Sequence, residues 1–230
     1  DECYSPSTIA DLQISTGKLL EKKDGCLKVW QLPETSKSYV IGADVAEGLE
    51  KGDFSCADVL DDEGNQVAQW HGHIAPDHFG ELLFALGMFY RRAFMGIERN
   101  NHGLTTLTIL KNKGYPNLYI QEDLDRISDG KQIKKIGWLT TSRTKPLVID
   151  NLSSLIRDED SGIACAETIQ EMETYVIEAN GSTNARSGYY DDRVMSYAIA
   201  CEMYRRKPRS YSGSVVQLRQ YKAAQAGVGY

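Results

Sequence analysis

Residues 39 to 44 read Tyr-Val-Ile-Gly-Ala-Asp, a β-favouring run that stays apolar on both faces until its last residue. A strand with one wet face alternates apolar and polar side chains, whereas a strand covered on both faces reads as an unbroken apolar run. The run therefore predicts a central strand of a covered sheet, with Asp44 at its carboxyl end. Immediately downstream, residues 54 to 60 and 66 to 71 are two further strand-like runs. They flank Asp61-Asp62-Glu63-Gly64-Asn65, an acidic turn with a glycine that predicts a hairpin. Three antiparallel strands in succession are the economical reading.

Working outward, Pro76 and Asp77 supply a helix start, and Phe79, Leu82, Leu83, Leu86 and Tyr90 keep helical spacing up to Arg91 and Arg92, which suit the negative end of the dipole. Residues 93 to 98 then read as another buried strand. A strand, crossover helix and strand in one sheet are normally parallel and right-handed, so Glu98 is expected at the same sheet edge as Asp44. A helix over 104–113 is stopped by Gly114-Tyr115-Pro116, with a short strand at 118–120 and a polar excursion from 121 to 145. Thr144 and Pro146 open a helix carrying Val148, Leu152 and Leu155 inward. A helix near 164–172 and a strand at 175–177 follow. In the last helix Val194, Tyr197, Ala198, Cys201 and Tyr204 share one face, with Asp191 and Asp192 at its start and Arg205, Arg206 and Lys207 at its end.

These elements predict an α/β domain over residues 39–208, with a mixed central sheet flanked by helices. Residues 1–38, polar and turn-rich, are expected to be a linker remnant with one short strand at 27–30, and residues 209–230 a mobile tail. The chain begins at Asp1 and is expected to be a fragment. At 230 residues and 41% hydrophobic content it falls in the one-domain range with a sizeable core. Its 26 Lys and Arg against 32 Asp and Glu leave a net charge of -6, so the whole chain has no tendency to bind polyanions, and nucleic-acid contact needs a local basic patch or bound cations. The longest apolar stretch, residues 82–97, is interrupted by Arg91 and Arg92, so no membrane span is expected. Five scattered cysteines without a C-x-x-C pair argue against a disulfide framework or a structural zinc site and fit a reducing compartment.

Each acid taken singly has an ordinary explanation. Asp44 could begin a turn, Glu98 could end a strand, and Asp191 or Asp192 could cap a helix. Their combination carries the weight. Asp44 and Glu98 each follow a run too apolar for a surface, and unpaired carboxylates crowded at one sheet edge repel. A hard divalent cation with oxygen ligands would sit between them, since Mg²⁺ is held by one or two carboxylates, waters and phosphate oxygens. Carboxylates from two strands and a helix start can hold two ions about 4 Å apart, one activating water and the other stabilising a leaving oxygen. That is machinery for phosphodiester hydrolysis.

The order Asp44 in "IGADVAEG" with "KGDFSCADVLD" behind it, Glu98 in "IERNNHG", then "YYDDRVMSYAIA", resembles the nuclease domain of the large terminase subunit of tailed bacteriophages, a ribonuclease H-like fold. The segment "KKIGWLTTSRTKPLVIDNL" is similar to the stretch that family carries between its second and third acidic motifs, and the likeness spans roughly residues 39–207. The resemblance implies a two-metal endonuclease, using Mg²⁺ or Mn²⁺, that cuts concatemeric double-stranded viral DNA during genome packaging. It implies Asp44, Glu98, Asp191 and Asp192 as the metal ligands and catalytic residues. It also implies as partners a packaging ATPase domain of the same polypeptide, the portal protein and the small terminase subunit. The location implied is the host cytoplasm, transiently at the procapsid portal, without secretion. No G-x-x-x-x-G-K-[ST] occurs in the 230 residues, so translocation is not their activity alone.

Among the basic clusters, the loop carrying Lys131, Lys134, Lys135, Arg143 and Lys145 around Trp138 is the expected DNA contact, because loops off a catalytic sheet hold substrates. Such lysines would grip phosphates without reading sequence. His71 and His73, with Asp77 and His78 behind them, offer a lesser zinc reading, since alternate strand residues share a face without binding anything. His102 touches substrate or shapes a turn together with Asn100, Asn101 and Gly103. Rival readings are a junction resolvase or transposase-like nuclease of the same fold, told apart by four-way junction preference, and a non-catalytic portal or DNA docking module, which would bind no Mn²⁺. An actin-like ATPase is a third, by fold analogy alone.

Overall fold

The computed structural model describes residues 25–208 apart from 50, 101, 129–130 and 178–182, and no side chains at 25–26, 123–128 or 131–133. The expected tail at 209–230 and most of the expected linker remnant lie outside the described residues. Five strands form one sheet in the order β1-β4-β3-β2-β5: β1 (Gly25–Val29), β2 (Val40–Asp44), β3 (Ser55–Leu60), β4 (Gln66–Gly72) and β5 (Phe94–Ile97). Strands β2, β3 and β4 run antiparallel in succession, and β5 lies parallel to β2 with Gly42 opposite Gly96. The crossover between those two is α1 (Pro76–Phe89).

Alternation along β2 explains its two covered faces. Ile41 and Ala43 join a core built with Phe79, Leu82, Leu83 and Leu86 of α1 and Leu107 and Leu110 of α2 (Gly103–Asn112). Val40 points the other way, into a second core with Val148 and Leu152 of α3 (Thr144–Arg157) and Val194 to Met203 of α5 (Asp192–Arg206). A short α4 (Ala166–Glu173) and the ribbon of β8 (Tyr175–Ile177) and β9 (Thr183–Ala185) complete the second side. The mixed central sheet expected from the apolar strands is thus found between two helical layers.

Several elements differ from their sequence reading. The strand expected at 27–30 begins two residues earlier and pairs along its length with β4, so the sheet starts inside the stretch read as a linker. Leu27 and Val29 meet the core on one face only once β4 is beside them, which a short run cannot announce. Arg91 and Arg92 lie beyond the end of α1 in a turn with φ of 58° and 60°, not in its last turn. The strand expected at 118–120 is reduced to a bridge between Leu118 and Met95, and the polar excursion after it forms a hairpin of β6 (Ile120–Ser128) and β7 (Lys131–Ile136). The chain then returns to the sheet at Trp138, whose N–H donates to Ile97 O at 2.7 Å, closing the loop beside Glu98.

The last helix departs furthest from its one-faced pattern. Ser196, Ile199, Ala200 and Met203 are as buried as Val194 and Tyr197, because the sheet lies under α5 while α3 and α4 pack over it. Close approach to the sheet requires glycine: a methyl group at Gly42 would collide with the Ala200 backbone, and one at Gly96 with the Met203 side chain. No helix among the described residues is long and apolar enough to cross a membrane.

Candidate active site

The carboxyl ends of two neighbouring parallel strands and the first turn of α5 meet at one edge of the sheet. Asp44 is the last residue of β2, and Glu98 follows β5 with its N–H donating to Ala43 O at 2.8 Å. Asp191 precedes α5 and Asp192 is its first residue. All four line a single open cavity of about 410 Å³. The capping role that either acid of the pair could have filled is not taken up: Asp191 makes no side-chain cap to α5.

Burial and mutual repulsion dominate the electrostatics. Glu98 is 6% exposed and Asp192 5%. Burial pushes the Asp44 carboxyl well above the usual range, helped by a hydrogen bond with Glu98 and by the charges of Glu98, Asp192 and Asp191. Burial likewise pushes Asp192 up to about 7, with Asp53, Glu171 and Asp191 adding repulsion against a favourable Phe54 N–H. Its Oδ2 is buried and has no hydrogen-bond partner. An orphaned buried carboxylate oxygen facing further carboxyls is an unfavourable arrangement that a bound cation relieves. Among the described residues, no three His, Cys, Asp or Glu side chains already stand in metal-ligating geometry. The donor set is nonetheless all oxygen and anionic, which suits a hard divalent ion.

Asp53, also lining the cavity, was not among the acids singled out from the sequence. The signal for it was topological. Strands β2 and β3 are antiparallel with Asp44 opposite Cys56, so a residue just before β3 lies at the same edge as one ending β2. Glu47 and His102 stand on the rim, with His102 Nε2 3.0 Å from Glu47 Oε1.

Of the basic residues expected at the DNA whose side chains are described, Lys145 alone lines this cavity. Its Nζ is 3.5 Å from Asp191 Oδ2 and 3.0 Å from Asn184 Oδ1, and it lies 5.7 Å from the Tyr175 ring centre. Lys134 and Lys135 sit on β7, Lys134 exposed and paired with Glu122 at 2.8 Å, and Arg143 is exposed just before α3. The Lys131 side chain lies outside the described residues. The zinc reading finds no support, because among the described residues no three His, Cys, Asp or Glu side chains are grouped as metal ligands. His71 and His73 pack on Phe54 at 4.5 and 4.0 Å between ring centres, His73 Nε2 is 3.2 Å from Gly52 O, and Asp77 Oδ1 accepts the His78 N–H.

No family model and no curated protein matches the chain. Among solved structures, the fold is similar to that of the large terminase nuclease from thermophilic phage G20c with bound magnesium, at a TM-score of 0.59 and 22% identity over 76% of this chain and 86% of that one. The same nuclease with bound cobalt gives a TM-score of 0.58 at 21% identity, covering 76% and 86%. The Thermus phage P74-26 large terminase nuclease domain gives 0.56 at 23% identity, covering 79% and 87%. At these identities the likeness establishes a shared fold, in keeping with the family resemblance carried by the acidic motifs.

Proposed function

We propose that the chain is a divalent-metal-dependent endonuclease that hydrolyses double-stranded DNA, in the role of a large terminase nuclease domain cutting concatemeric viral DNA during genome packaging. One observation carries the reading: Asp44, Glu98, Asp191 and Asp192, from elements up to about 150 residues apart in sequence, line one cavity in which a buried Asp192 oxygen has no partner. In this reading Asp44, Glu98 and Asp192 hold Mg²⁺ or Mn²⁺, two ions in all, with Asp191 and Asp53 at the margin.

When bound, the ions supply an activated water and stabilise the departing oxygen of the phosphodiester. The protein's own part is electrostatic. Asp44 and Asp192, whose protonated forms burial favours, would have to ionise to hold a cation, with Glu98 beside them as a further oxygen donor. Lys145 neutralises Asp191 at the cavity wall and presents a positive group to the substrate phosphates. No histidine base is required, which fits His102 being directed to Glu47.

A chain with a net charge of -6 holds DNA weakly by itself. The packaging ATPase domain of the same polypeptide, the portal protein and the small terminase subunit are therefore proposed as partners that keep DNA at the site, in the host cytoplasm at the procapsid portal. Incubating linear and supercoiled duplex DNA with the protein and Mn²⁺ or Mg²⁺ tests the assignment. Metal-dependent nicking and linearisation that disappear with EDTA and in Asp44→Ala are expected. Absence of cleavage by folded wild-type protein with metal, or cleavage retained in Asp44→Ala, would overturn it.

A further inference from the structure

Behind the acidic cavity runs a line of buried polar side chains with no part in the chemistry above. Its outer end is Glu171 on α4. The carboxylate Oε2 accepts the backbone N–H of Arg193 at 2.9 Å, and Oε1 accepts from the Arg193 guanidinium at 2.6 Å. Both side chains are largely covered, 12% and 18% exposed. Arg193 Nε also donates to Gln69 Oε1 on β4 at 3.2 Å, and Gln69 Nε2 donates to Asp58 Oδ1 on β3 at 2.9 Å. The Ser196 hydroxyl on α5 lies 2.7 Å from Asp58 Oδ2 and 3.1 Å from Gly42 O, two residues before Asp44. A continuous hydrogen-bonded path thus joins the start of α5 to the middle of β2.

The first N–H groups of a helix lack intrahelical acceptors, and an Asp at the N-cap ordinarily supplies one. Asp191 occupies that position without capping and is paired with Lys145 at the cavity instead. The acceptor comes from a different helix, as the Glu171 carboxylate. We propose that Glu171 is the positioning residue of the candidate metal centre: by capping α5 in place of Asp191 and clamping Arg193, it leaves Asp191 to pair with Lys145 at the cavity and holds Asp192 at the same cavity as Asp44 and Glu98.

This inference rests on the metal-centre reading, and its test separates the two. Mn²⁺ affinity is measured without DNA, by electron paramagnetic resonance of the free ion, in wild type, Glu171→Ala and Glu171→Gln. Thermal melts in EDTA establish a temperature at which each variant is folded. Loss of a group that orients metal ligands typically weakens metal binding about tenfold or more, so Glu171→Ala is expected to show that loss at a temperature where it is fully folded. Glu171→Gln keeps an oxygen for the Arg193 N–H and is expected to recover part of it.

A wild type that binds Mn²⁺ and a folded Glu171→Ala that binds it equally well would overturn the positioning role alone. A folded wild type that binds no Mn²⁺ would overturn the metal centre and this inference together. Should Glu171→Ala fail to fold, Glu171→Gln and Arg193→Lys decide: weakened Mn²⁺ binding in either supports the role, and wild-type affinity in both removes it.

Discussion

Gly42 on β2 and Ala200 on α5 meet backbone to backbone: a methyl group at Gly42 would strike the Ala200 nitrogen and stand 2.5 Å from Ser196 O. This contact sets how deeply α5 sinks onto the sheet, and so where the acids at its start lie relative to Asp44. Backbone atoms cannot turn aside as a flexible side chain can. Gly42→Ala is therefore expected to destabilise the protein by about 3 kcal/mol or more. The denaturant midpoint should fall with an unchanged slope, and a midpoint within error of wild type would show that α5 can lift without cost.

The carboxyl cluster gives the metal-free protein an unusual pH dependence. An unfolded aspartate ionises near pH ~4, whereas Asp192 in the fold keeps its proton up to about 7. Between those values the unfolded chain has released a proton that the fold retains, so stability is lost as pH rises through the window. Asp44, shifted the same way, adds to it. In EDTA, the contribution of these groups is expected to lower the melting temperature from about pH 5 to about pH 8, and Asp192→Asn to reduce that slope. Added Mn²⁺ should raise the melting temperature more at the higher pH, where the carboxyls ionise readily. Identical slopes in wild type and Asp192→Asn would remove Asp192 from the account.

Histidine 71 acts in the opposite sense at the acid side. Burial holds its ring neutral, down to about 3, reinforced by the charge of Arg193, and its Nε2 has no partner. The unfolded ring takes up a proton below about pH 6.5 that the fold refuses, so stability contributed here is lost as pH falls. His71→Leu is expected to gain melting temperature over wild type at about pH 5 relative to about pH 8, because the refused proton no longer matters. Metal-dependent cutting should survive the change. Its loss in a folded His71→Leu protein would return the zinc reading to consideration.

Lys145 in the first turn of α3 and Lys134 on β7 allow a contrast within one basic segment of the sequence. Lys145 is 22% exposed at the acid cavity, while Lys134 is 64% exposed and paired with Glu122 on the hairpin. Lys145→Ala is expected to weaken duplex binding and to lower the salt dependence by about one phosphate contact, whereas Lys134→Ala should have a smaller effect. Binding measured at several salt concentrations checks this, and equal slopes in wild type and Lys145→Ala would place the lysine off the DNA.

Much of the scaffold is legible in order. Apolar runs at residues 39–44 and 93–98, the acidic turn at 61–65 and the periodic helix opened by Pro76 are local signals, and each yields the element found. The hairpin of β6 and β7 was not legible, because a polar ribbon carries no burial pattern to read. Nor was the wrapping of α5: Ser196 and Glu202 look like solvent positions until Asp58 and the pair Arg205 and Arg206 are found beside them.

The candidate site divides along the same line. Asp44, Glu98 and the Asp191-Asp192 pair could be named from the chain alone, since an acid ending a doubly apolar run or opening a buried helix is locally conspicuous. That all four border one cavity, that Asp53 joins them and that Glu171 caps α5 from another helix were decided by folding. Local pattern depends on neighbours three or four residues away, whereas a carboxylate's surroundings depend on segments over a hundred residues distant. Only packing the sheet against α5 makes those segments neighbours.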